Sequence, residues 1–542
     1  MIGYAQLMSD DEDARRQGFR AIRFQLSEPQ GARGVFDQLI LARAYRFASR
    51  YLSGDDAFED LRDRWRRDLA ATADVFFFRA GAWVDCFKSD DCYSNHEMVE
   101  AAADVDLLAT GVEGRGPRAK LADREALRRR ALRTAGELAE RAAGTAAYTD
   151  SRTGLGLLSD TGPYPLGYHV LSTAFLAMIA RDLGDDVPEP TRAALRRSME
   201  TLAGFMGPDG DLAYVGARHE QVWVLAAATY AGRAAASVVG PETADGRRYE
   251  AIARRALGRL RRAHPLEATG LRVVTRPLQR SYSGIDGALV PANGLSLLFL
   301  REASLIPAGP AAPALPVDRP GHSFVDPVHA RIAVRRTPEL WFAVRARPRF
   351  PVDPRRDPDQ RFDFGVVNLK ERTAGGWRDL VEPRPRTMNG VHSSGPVLLG
   401  PGGEVGFPWG ERIELRGGGV DVVGGFRARE RRPHRLSRPG RWLRRGVVFR
   451  YRPRGRSLTV TWDARPGDRF QVLAWARAGA FRQVAGGIEV GAARHLLDPA
   501  PLVWSVGDRY SGCCAFDVRP VTGEIAAPAA GPVSWTIAAR DR

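Results

Sequence analysis

The periodicity of the sequence changes once, and this change constrains the fold more than any other feature. Up to about residue 270, segments such as "GVFDQLILARAYRFASRYL" and "GYHVLSTAFLAMIARDLG" repeat apolar residues at the spacing that amphipathic helices require. Beyond about residue 320, short runs such as "LWFAVRAR" and "SLTVTWDA" alternate apolar and polar residues, which is typical of antiparallel strands. The chain is therefore predicted to be a multidomain α+β protein in which helices come first and strands follow.

The two parts of the sequence predict two domains. Roughly nine or ten antiparallel helices of similar length favour an (α/α) toroid, in the form of an incomplete barrel, for residues 1–304. The stretch "SLIPAGPAAPALPVDRPG" marks residues 305–320 as a Pro/Ala-rich linker. An antiparallel β-sandwich is predicted for residues 321–542.

The net charge of the chain suggests an acidic partner. The formal net charge is +16 at pH 7, which favours a polyanionic substrate. Lysine occurs only at Lys88, Lys120 and Lys370, so part of the basicity reflects a general preference for arginine. We identify no zinc-finger spacing and no local block of basic residues interleaved with aromatics, and we therefore expect no nucleic-acid partner. The sequence leaves the oligomeric state open.

The N-terminal sequence and the cysteines do not identify the cellular compartment of the protein. The N-terminal stretch "MIGYAQLMSDDEDARRQGFRA" lacks the features of a secretory signal, and no apolar run approaches the roughly 18–20 residues of a membrane span. We expect a cytoplasmic protein without a membrane span, or a secreted one if the N-terminus is incomplete. Cys86, Cys92, Cys513 and Cys514 form no C-x-x-C pair, and a small disulfide loop between the first two stays open.

Three polar clusters interrupt the helical part, each where a loop becomes a helix. In an α/α toroid such junctions gather at the ends of the helix ring, where a cleft can form. Three of the nine histidines fall in these clusters. The clusters comprise Tyr93, Asn95 and His96; Asp160, Tyr164, Tyr168 and His169; and Asp209, Asp211, Tyr214, Arg218, His219, Glu220 and Gln221.

Each cluster also has a purely structural interpretation. Asn95 is a residue type that caps helix N-termini. His169 fits a partly buried histidine with a hydrogen-bond partner, and Tyr168 shares an apolar stripe with Phe175. Residues 218–221 fit a solvated first helical turn. These alternatives do not exclude a role in catalysis.

The combination of clusters is more informative than its members. Asn95-His96 at one helix start and Tyr168-His169 in "DTGPYPLGYH" at another resemble the heparinase II/III-like polysaccharide lyases and the related alginate lyases. Those families combine a toroid with a β-sandwich. The resemblance implies cleavage of a uronic-acid-containing polysaccharide or oligosaccharide by β-elimination, with an acidic glycan as the partner and no required cofactor.

The resemblance also implies a role for individual residues. Asn95 would neutralise the uronate carboxylate through its amide, with a charge-assisted pair from Arg218. His96 would take the C5 proton, because histidine titrates near neutral pH. Tyr168 would protonate the leaving oxygen, and the epimer at C5 decides whether Tyr168 also serves as the base in place of His96. His169 is a second candidate for either proton. The residues expected to bind substrate are Tyr93, Tyr164, Tyr214, Arg218, His219, Glu220 and Gln221.

Two other classes of protein fit the same sequence. A toroid glycoside hydrolase would need two carboxylates, one on each side of the scissile bond. The available carboxylates are those of Asp160, Asp209, Asp211 and Glu220. A non-catalytic protein that binds acidic glycans through arginine is the second alternative.

No catalytic metal is expected from the sequence. A structural metal in the predicted sandwich is a possibility through His322, His329 or His392, for which their spacing gives no strong support.

Overall fold

The structure is a computed structural model of the whole chain. It describes residues 1–28, 35–86, 94–112, 166–212, 214, 221–267, 270–271, 285–326, 331–346, 364–381, 395–400, 403–429, 439–477, 481–507 and 518–540. Within these ranges the side chains are described except at 35, 72–86, 94–97, 100, 267, 270, 285–291, 429, 439, 477 and 518.

The first half of the described chain is helical, as its periodicity predicts. The second helix shows why: the Asp11 side chain accepts hydrogen bonds from the backbone N–H groups of Asp13 and Ala14 at its start, and its buried stripe includes Phe19 and Ile22. The helices are α1 (Ile2–Leu7), α2 (Glu12–Ser27), α3 (Val35–Tyr51), α4 (Asp56–Cys86), α5 (Ser94–Thr110), α6 (Leu166–Leu183), α7 (Glu189–Phe205), α8 (Val222–Val239), α9 (Ala244–Ala263) and α10 (Ile285–Ser304).

Helices α6 and α8 form the centre of the helical part. Nearly all of their residues are buried, because both are apolar on every face. They pack closely where Gly167 of α6 faces Val224 of α8, since a Cβ at Gly167 would lie 3.1 Å from the Val224 side chain. By length and composition α8 is apolar enough to cross a membrane, but 78% of it is buried inside the protein.

One buried arginine joins the C-terminal ends of three helices. Arg43 of α3 contacts Asp106 near the end of α5 (3.0 Å), Glu302 near the end of α10 (2.8 Å), and Asp182 near the end of α6. All four side chains are 5% exposed or less. Glu302 also accepts a hydrogen bond from the Tyr4 hydroxyl at 2.5 Å. Because Arg43 gathers the C-terminal ends of α5, α6 and α10, the N-terminal ends of these helices point away from this network.

The second half of the described chain is antiparallel sheet. The strands are β1 (Leu266–Glu267), β2 (Gly270–Leu271), β3 (Ser323–Asp326), β4 (Ile332–Arg336), β5 (Leu340–Arg345), β6 (Gly365–Thr373), β7 (Gly376–Asp379), β8 (Val397–Leu399), β9 (Val405–Arg416), β10 (Gly419–Arg429), β11 (Pro439–Arg454), β12 (Ser457–Ala464), β13 (Arg469–Arg477), β14 (Phe481–Val484), β15 (Gly487–Val490), β16 (Ala493–Asp498), β17 (Val503–Val506), β18 (Val518–Ala526) and β19 (Gly531–Ala539).

The strands form two large sheets and one small pair. In the described residues, strands β3 to β7 form a five-stranded sheet in sequence order, and twelve strands form a second sheet in the order β14-β15-β16-β19-β12-β11-β10-β9-β8-β13-β18-β17. Strands β1 and β2 pair with each other.

The five-stranded sheet is the middle layer of three. Successive residues of β5 point to opposite faces: Trp341 and Ala343 join the core of the helical part, whereas Phe342 and Val344 join the core between the two sheets. The helices therefore cover one face of this sheet and the twelve-stranded sheet covers the other.

The Pro/Ala-rich segment between helices and sheets is packed against the protein. Helix α10 ends at Ser304 and β3 begins at Ser323. Between them, Asp318 accepts two hydrogen bonds from the Arg255 guanidinium of α9, at 2.6 and 2.7 Å, and Val317 is completely buried. These contacts hold the connection in one position.

We predict that Arg43→Ala lowers the free energy of unfolding by about 3–5 kcal/mol, because three buried carboxylates lose the one cation that contacts them all. The partly exposed Arg46 and Arg181, which also pair with these carboxylates, compensate for only part of the loss. Urea unfolding followed by helical circular dichroism measures the change. The control is Arg16→Ala, which removes an exposed pair with Asp13 and should cost less than about 1 kcal/mol. Equal losses in the two variants would show that the buried network contributes no more than a surface pair.

Candidate active site at the helix N-termini

Of the three predicted loop-to-helix junctions, those at the starts of α6 and α8 lie side by side. Tyr168 is in the first turn of α6 and Trp223 is in the first turn of α8, and their ring centroids are 5.8 Å apart. Tyr168 is half-buried. Helices α6 and α8 therefore start at the same end of the helical part, with Tyr168 between the protein interior and solvent.

The junction at Asn95 and His96 lies at the same end, because Arg43 ties α5 and α6 together near their C-terminal ends. Asn95 precedes Asp106 by 11 residues, and Tyr168 precedes Asp182 by 14. At about 1.5 Å per residue, these separations are about 17 and about 21 Å of helix. The two helix starts thus differ by only about 5 Å along the axis. The backbone of Asn95 and His96 lies in the first turn of α5, whereas their side chains lie outside the described part of the structure.

The entry to α8 is fixed by Gln221. This residue occupies the N-cap position, is 3% exposed, and accepts a hydrogen bond from the Trp223 indole N–H at 2.7 Å through its side-chain oxygen. Gln221 was predicted to bind substrate. In the structure it holds the Trp223 ring, which in turn packs against Tyr168, and its role in substrate binding stays a prediction.

His169 points into the core of the helical part. Its side chain is 2% exposed, and its Nε2 lies 3.1 Å from the Ser198 carbonyl oxygen, to which it can donate a hydrogen bond. Burial lowers the pKa of His169 to about 4, so the imidazole is neutral at pH 7. The hydrogen-bond partner agrees with the structural interpretation of His169, but the side chain is more completely buried than that interpretation predicts. This environment favours a packing role over proton transfer to substrate.

Tyr214 also has a buried position. Its hydroxyl donates a hydrogen bond to the carbonyl oxygen of Phe205, the last residue of α7, at 2.5 Å. Its ring packs edge-on against Trp341 of β5, with centroids 5.2 Å apart. Burial raises the pKa of Tyr214 well above its ordinary value. Tyr214 thus joins the end of α7 to the five-stranded sheet, at the end of the helices where α8 begins.

A buried cation beside Tyr214 was not identified from the sequence. Lys370 of β6 is completely buried, and its ammonium contacts Asp209 at 3.2 Å, Asp211 at 3.3 Å, and Asp379 of β7. Because Lys370 is one of only three lysines in an arginine-rich chain, its residue type was a signal that could have drawn attention to it. We call Lys370 with these three aspartates the Lys370 cluster.

The Lys370 cluster attaches the turn after α7 to the five-stranded sheet. Asp209 also pairs with Arg259 of α9 at 2.7 Å, and Asn368 of β6 donates a hydrogen bond to Asp211 at 3.3 Å. Although burial acts to raise it, the pKa of Asp209 is lowered to about 2 by Lys370 and Arg259. Gly210 provides the positive φ of +94° that this turn requires. The turn is therefore anchored directly before residues 215–220.

The remaining predicted residues cannot be compared with the structure. Tyr93, Tyr164, Arg218, His219 and Glu220 lie outside the described residues, as does Asp160, so their predicted roles stay predictions.

The predicted structural metal can be compared with the structure at one histidine only. His322 lies with its Nε2 3.3 Å from the Gly204 carbonyl oxygen. In the ranges that the structure describes, no three His, Cys, Asp or Glu side chains are grouped closely enough to hold a metal ion. His329 and His392 lie outside these ranges, as do Cys92, Cys513 and Cys514.

Comparison with solved structures identifies the class of fold. Heparinase III superposes with a TM-score of 0.52 and 10% identity, covering 98% of this chain and 75% of that chain. A variant of the chondroitin AC lyase of Streptomyces coelicolor A3 gives 0.50 and 13%, covering 100% and 74%. The heparan sulfate lyase HepC from Pedobacter heparinus gives 0.30 and 10%, covering 98% and 78%. No protein-family model and no curated protein matches the sequence.

The protein therefore has the fold of the polysaccharide lyases, in which an α/α toroid precedes an antiparallel β-sandwich. The predicted α+β fold class and the resemblance to the heparinase II/III-like lyases are confirmed at the level of the fold. Their chemistry is a separate question, because one fold can carry several activities.

We predict that stability depends on His169 below neutral pH. Its pKa is about 4 in the fold, whereas an unperturbed histidine has 6.5. Between these values the unfolded chain binds more protons, so the free energy of unfolding falls as the pH falls. From pH 7 to pH 5 this contribution is about 2 kcal/mol. Urea unfolding at both pH values should show a smaller loss in His169→Gln than in the wild type. Identical losses would contradict the assignment of a neutral buried imidazole.

We predict that a double-mutant cycle reveals the buried charges of the Lys370 cluster. Lys370→Met should lower the free energy of unfolding by about 3–5 kcal/mol, because the carboxylates lose their main cation. Adding Asp209→Asn should recover part of this loss, by about 1–3 kcal/mol, because one uncompensated charge disappears. The control pair is Arg450→Met with Asp463→Asn, which removes a partly exposed ion pair. Purely additive losses in the Lys370 cycle would contradict the ion pairing described here.

Proposed function

We propose that the protein is a polysaccharide lyase that cleaves a uronic-acid-containing polysaccharide or oligosaccharide by β-elimination. The observation that carries the proposal is the convergence of the N-terminal ends of α5, α6 and α8 at one end of a polysaccharide-lyase fold. These ends carry Asn95, His96 and Tyr168. The five-stranded sheet packs at the same end, through Tyr214 and the Lys370 cluster, so a substrate bound there would lie between the helices and the sheet.

The first requirement of the reaction is to make the C5 proton of the uronate more acidic. A charged carboxylate next to C5 opposes loss of that proton, because the intermediate carries further negative charge. Hydrogen-bond donors directed at the carboxylate stabilise this intermediate. In our proposal Asn95 provides its side-chain amide, and Arg218 adds a cation that pairs with the carboxylate.

The second requirement is a base for the C5 proton and an acid for the leaving oxygen at C4. His96 is proposed as the base, because a histidine near its ordinary pKa accepts protons at neutral pH. Tyr168 is proposed as the acid, since a tyrosine hydroxyl carries a proton at pH 7. Its half-buried position supports this role, because the side chain is neither enclosed in the core nor fully solvated. The chemistry needs no cofactor, and we propose none.

The position of His169 makes it a positioning residue in this scheme. It neighbours Tyr168 on α6 and holds the helix against Ser198 of α7. The scheme therefore assigns both proton transfers to His96 and Tyr168, which leaves His169 to support the start of α6.

The hydrolase alternative receives less support from the carboxylates that are described. A glycoside hydrolase needs a general acid that keeps its proton near neutral pH, and this requires a raised pKa. Asp209 has a lowered pKa of about 2 and is held by Lys370 and Arg259. Asp211 is 6% exposed and contacts Lys370 and Asn368. Both carboxylates therefore have structural partners in place of an open position beside a sugar bond.

We predict that at least one uronate polymer gives an unsaturated product, seen as rising near-UV absorbance. Tyr168→Phe should lower kcat by a factor of about 100 or more, as loss of a general acid does, while the thermal midpoint changes little. The control Tyr51→Phe alters an exposed tyrosine and should keep full activity. Asn95→Ala should reduce turnover strongly, while its cost in stability should stay near the about 1 kcal/mol of a lost helix cap.

Three results would contradict the proposal. Failure of every uronate polymer and oligomer in the panel to give near-UV absorbance would exclude lyase activity on that panel and favour the non-catalytic glycan-binding alternative. Reducing ends released without absorbance, together with inactive Asp209→Asn or Asp211→Asn, would favour the hydrolase. Equal activity of Tyr168→Phe and the wild type would remove Tyr168 from the mechanism.

A further inference from the structure

The basic charge of the chain is concentrated in one segment. Residues 427–445, "RARERRPHRLSRPGRWLRR", contain nine arginines and one glutamate. With histidine neutral, this segment carries +8, which is half of the formal net charge of +16. The segment contains one tryptophan, Trp442, and no phenylalanine or tyrosine. The segment covers the end of β10, the connection at 430–438, which lies outside the described residues, and the start of β11.

The described part of this segment forms a surface of tryptophan and arginine. The Arg427 guanidinium lies over the Trp442 ring at 4.8 Å and over the Trp409 ring of β9 at 5.6 Å. Arg445 lies over the same Trp442 ring at 5.4 Å. We call Trp409, Arg427, Trp442 and Arg445 the Trp–Arg face.

The Trp–Arg face lies on the outer side of the twelve-stranded sheet. Phe426 precedes Arg427 in β10 and belongs to the core between the two sheets, so Arg427 points to the opposite face. Trp409 lies opposite Gly425 in the register of β9 and β10. Glycine at that position adds no side chain next to the indole. Both tryptophans are half-buried, and 66% of the Arg445 side chain is exposed.

The arginines of this face differ in how their charge is balanced. Arg445 forms an ion pair with Glu411 at 2.8 Å. Arg427 donates a hydrogen bond from Nε to the Gly440 carbonyl oxygen at 3.0 Å, and no described carboxylate lies within ion-pair distance of it. Its guanidinium is thus held in place by two rings and a carbonyl group, and its positive charge is not neutralised by a described side chain.

We infer that the Trp–Arg face is a second binding site for an acidic polysaccharide, separate from the proposed active site. A guanidinium that two indole rings hold in a fixed position can pair with a carboxylate or sulfate group of a glycan. The face lies on the outer sheet, whereas the proposed active site lies between the helices and the inner sheet. A long polymer held at both sites gains effective concentration at the active site. The ligand class rests on the proposed function, and the site itself rests on the geometry of this face.

Affinity electrophoresis of the full chain tests this inference, with heparin and alginate as acidic probes and dextran as the neutral one. Arg427→Gln and Trp442→Ala should weaken binding of an acidic probe by about tenfold, the effect of losing one central contact. Arg427→Lys should also weaken it, because lysine keeps the charge but not the planar group that lies between the rings. Added salt should weaken wild-type binding, since the attraction is electrostatic.

The matched control is Arg469→Gln on β13 of the same sheet. Its side chain is 56% exposed and paired with Glu524, so it resembles Arg445 in exposure and pairing. Arg445→Gln should weaken binding and Arg469→Gln should not. Because Arg445 is exposed, this comparison holds even if Trp442→Ala fails to fold.

Two results would overturn the inference. One is an affinity in Arg427→Gln and Arg445→Gln that equals the affinity of Arg469→Gln. The other is displacement of the acidic polysaccharide by a lower concentration of single-stranded DNA of equal charge, which would identify the face as a nucleic-acid site. The readout is binding and not turnover, so an absence of lyase activity would contradict the proposed function and leave this test intact.

Discussion

The buried guanidinium of Arg43 determines where the candidate site lies. It meets carboxylates near the C-terminal ends of α5, α6 and α10, so these helices share a common reference point. Removing such charges from water costs several kcal/mol per ion, and a buried ion pair is weak evidence for stability. What the network provides is orientation: a helix that ran in the opposite direction would place its carboxylate at the wrong end. The alignment of Asn95 with Tyr168 follows from this shared orientation.

The opposite end of the helices is closed by the five-stranded sheet. Three kinds of contact join them there: the Lys370 cluster, the hydrogen bond and ring contact of Tyr214, and the edge-on pair of Phe205 with Phe324 of β3 at 4.9 Å. The charges of the Lys370 cluster are fixed inside the protein, where each interaction is stronger than in water. The helix N-termini and the sheet therefore keep one relative position, as a site built from both layers requires.

The sequence predicts local features of this protein better than long-range ones. Helices and strands follow from periodicity within short segments, and the order of the two fold halves follows from them. The environment of a polar junction residue does not follow from periodicity. His169 and Tyr168 are neighbours in sequence, yet one is buried and the other half-exposed. The partner of Tyr168 is Trp223, 55 residues further on. Tyr214 and Lys370 likewise acquire their roles from contacts between distant parts of the chain, which no local pattern contains.

The distribution of charge shows how an average over the chain can mislead. A general preference for arginine would spread basic residues over the surface, where many meet carboxylates, as Arg452 does with Asp421 at 2.5 Å. A segment that carries half of the net charge in 19 residues needs another explanation. Self-repulsion makes such a segment costly for the compact state, and pairing with an acidic polymer relieves that cost. The two tryptophans beside Arg427 add a contact that a general preference for arginine does not explain, so the Trp–Arg face is better understood as a binding surface than as a consequence of composition.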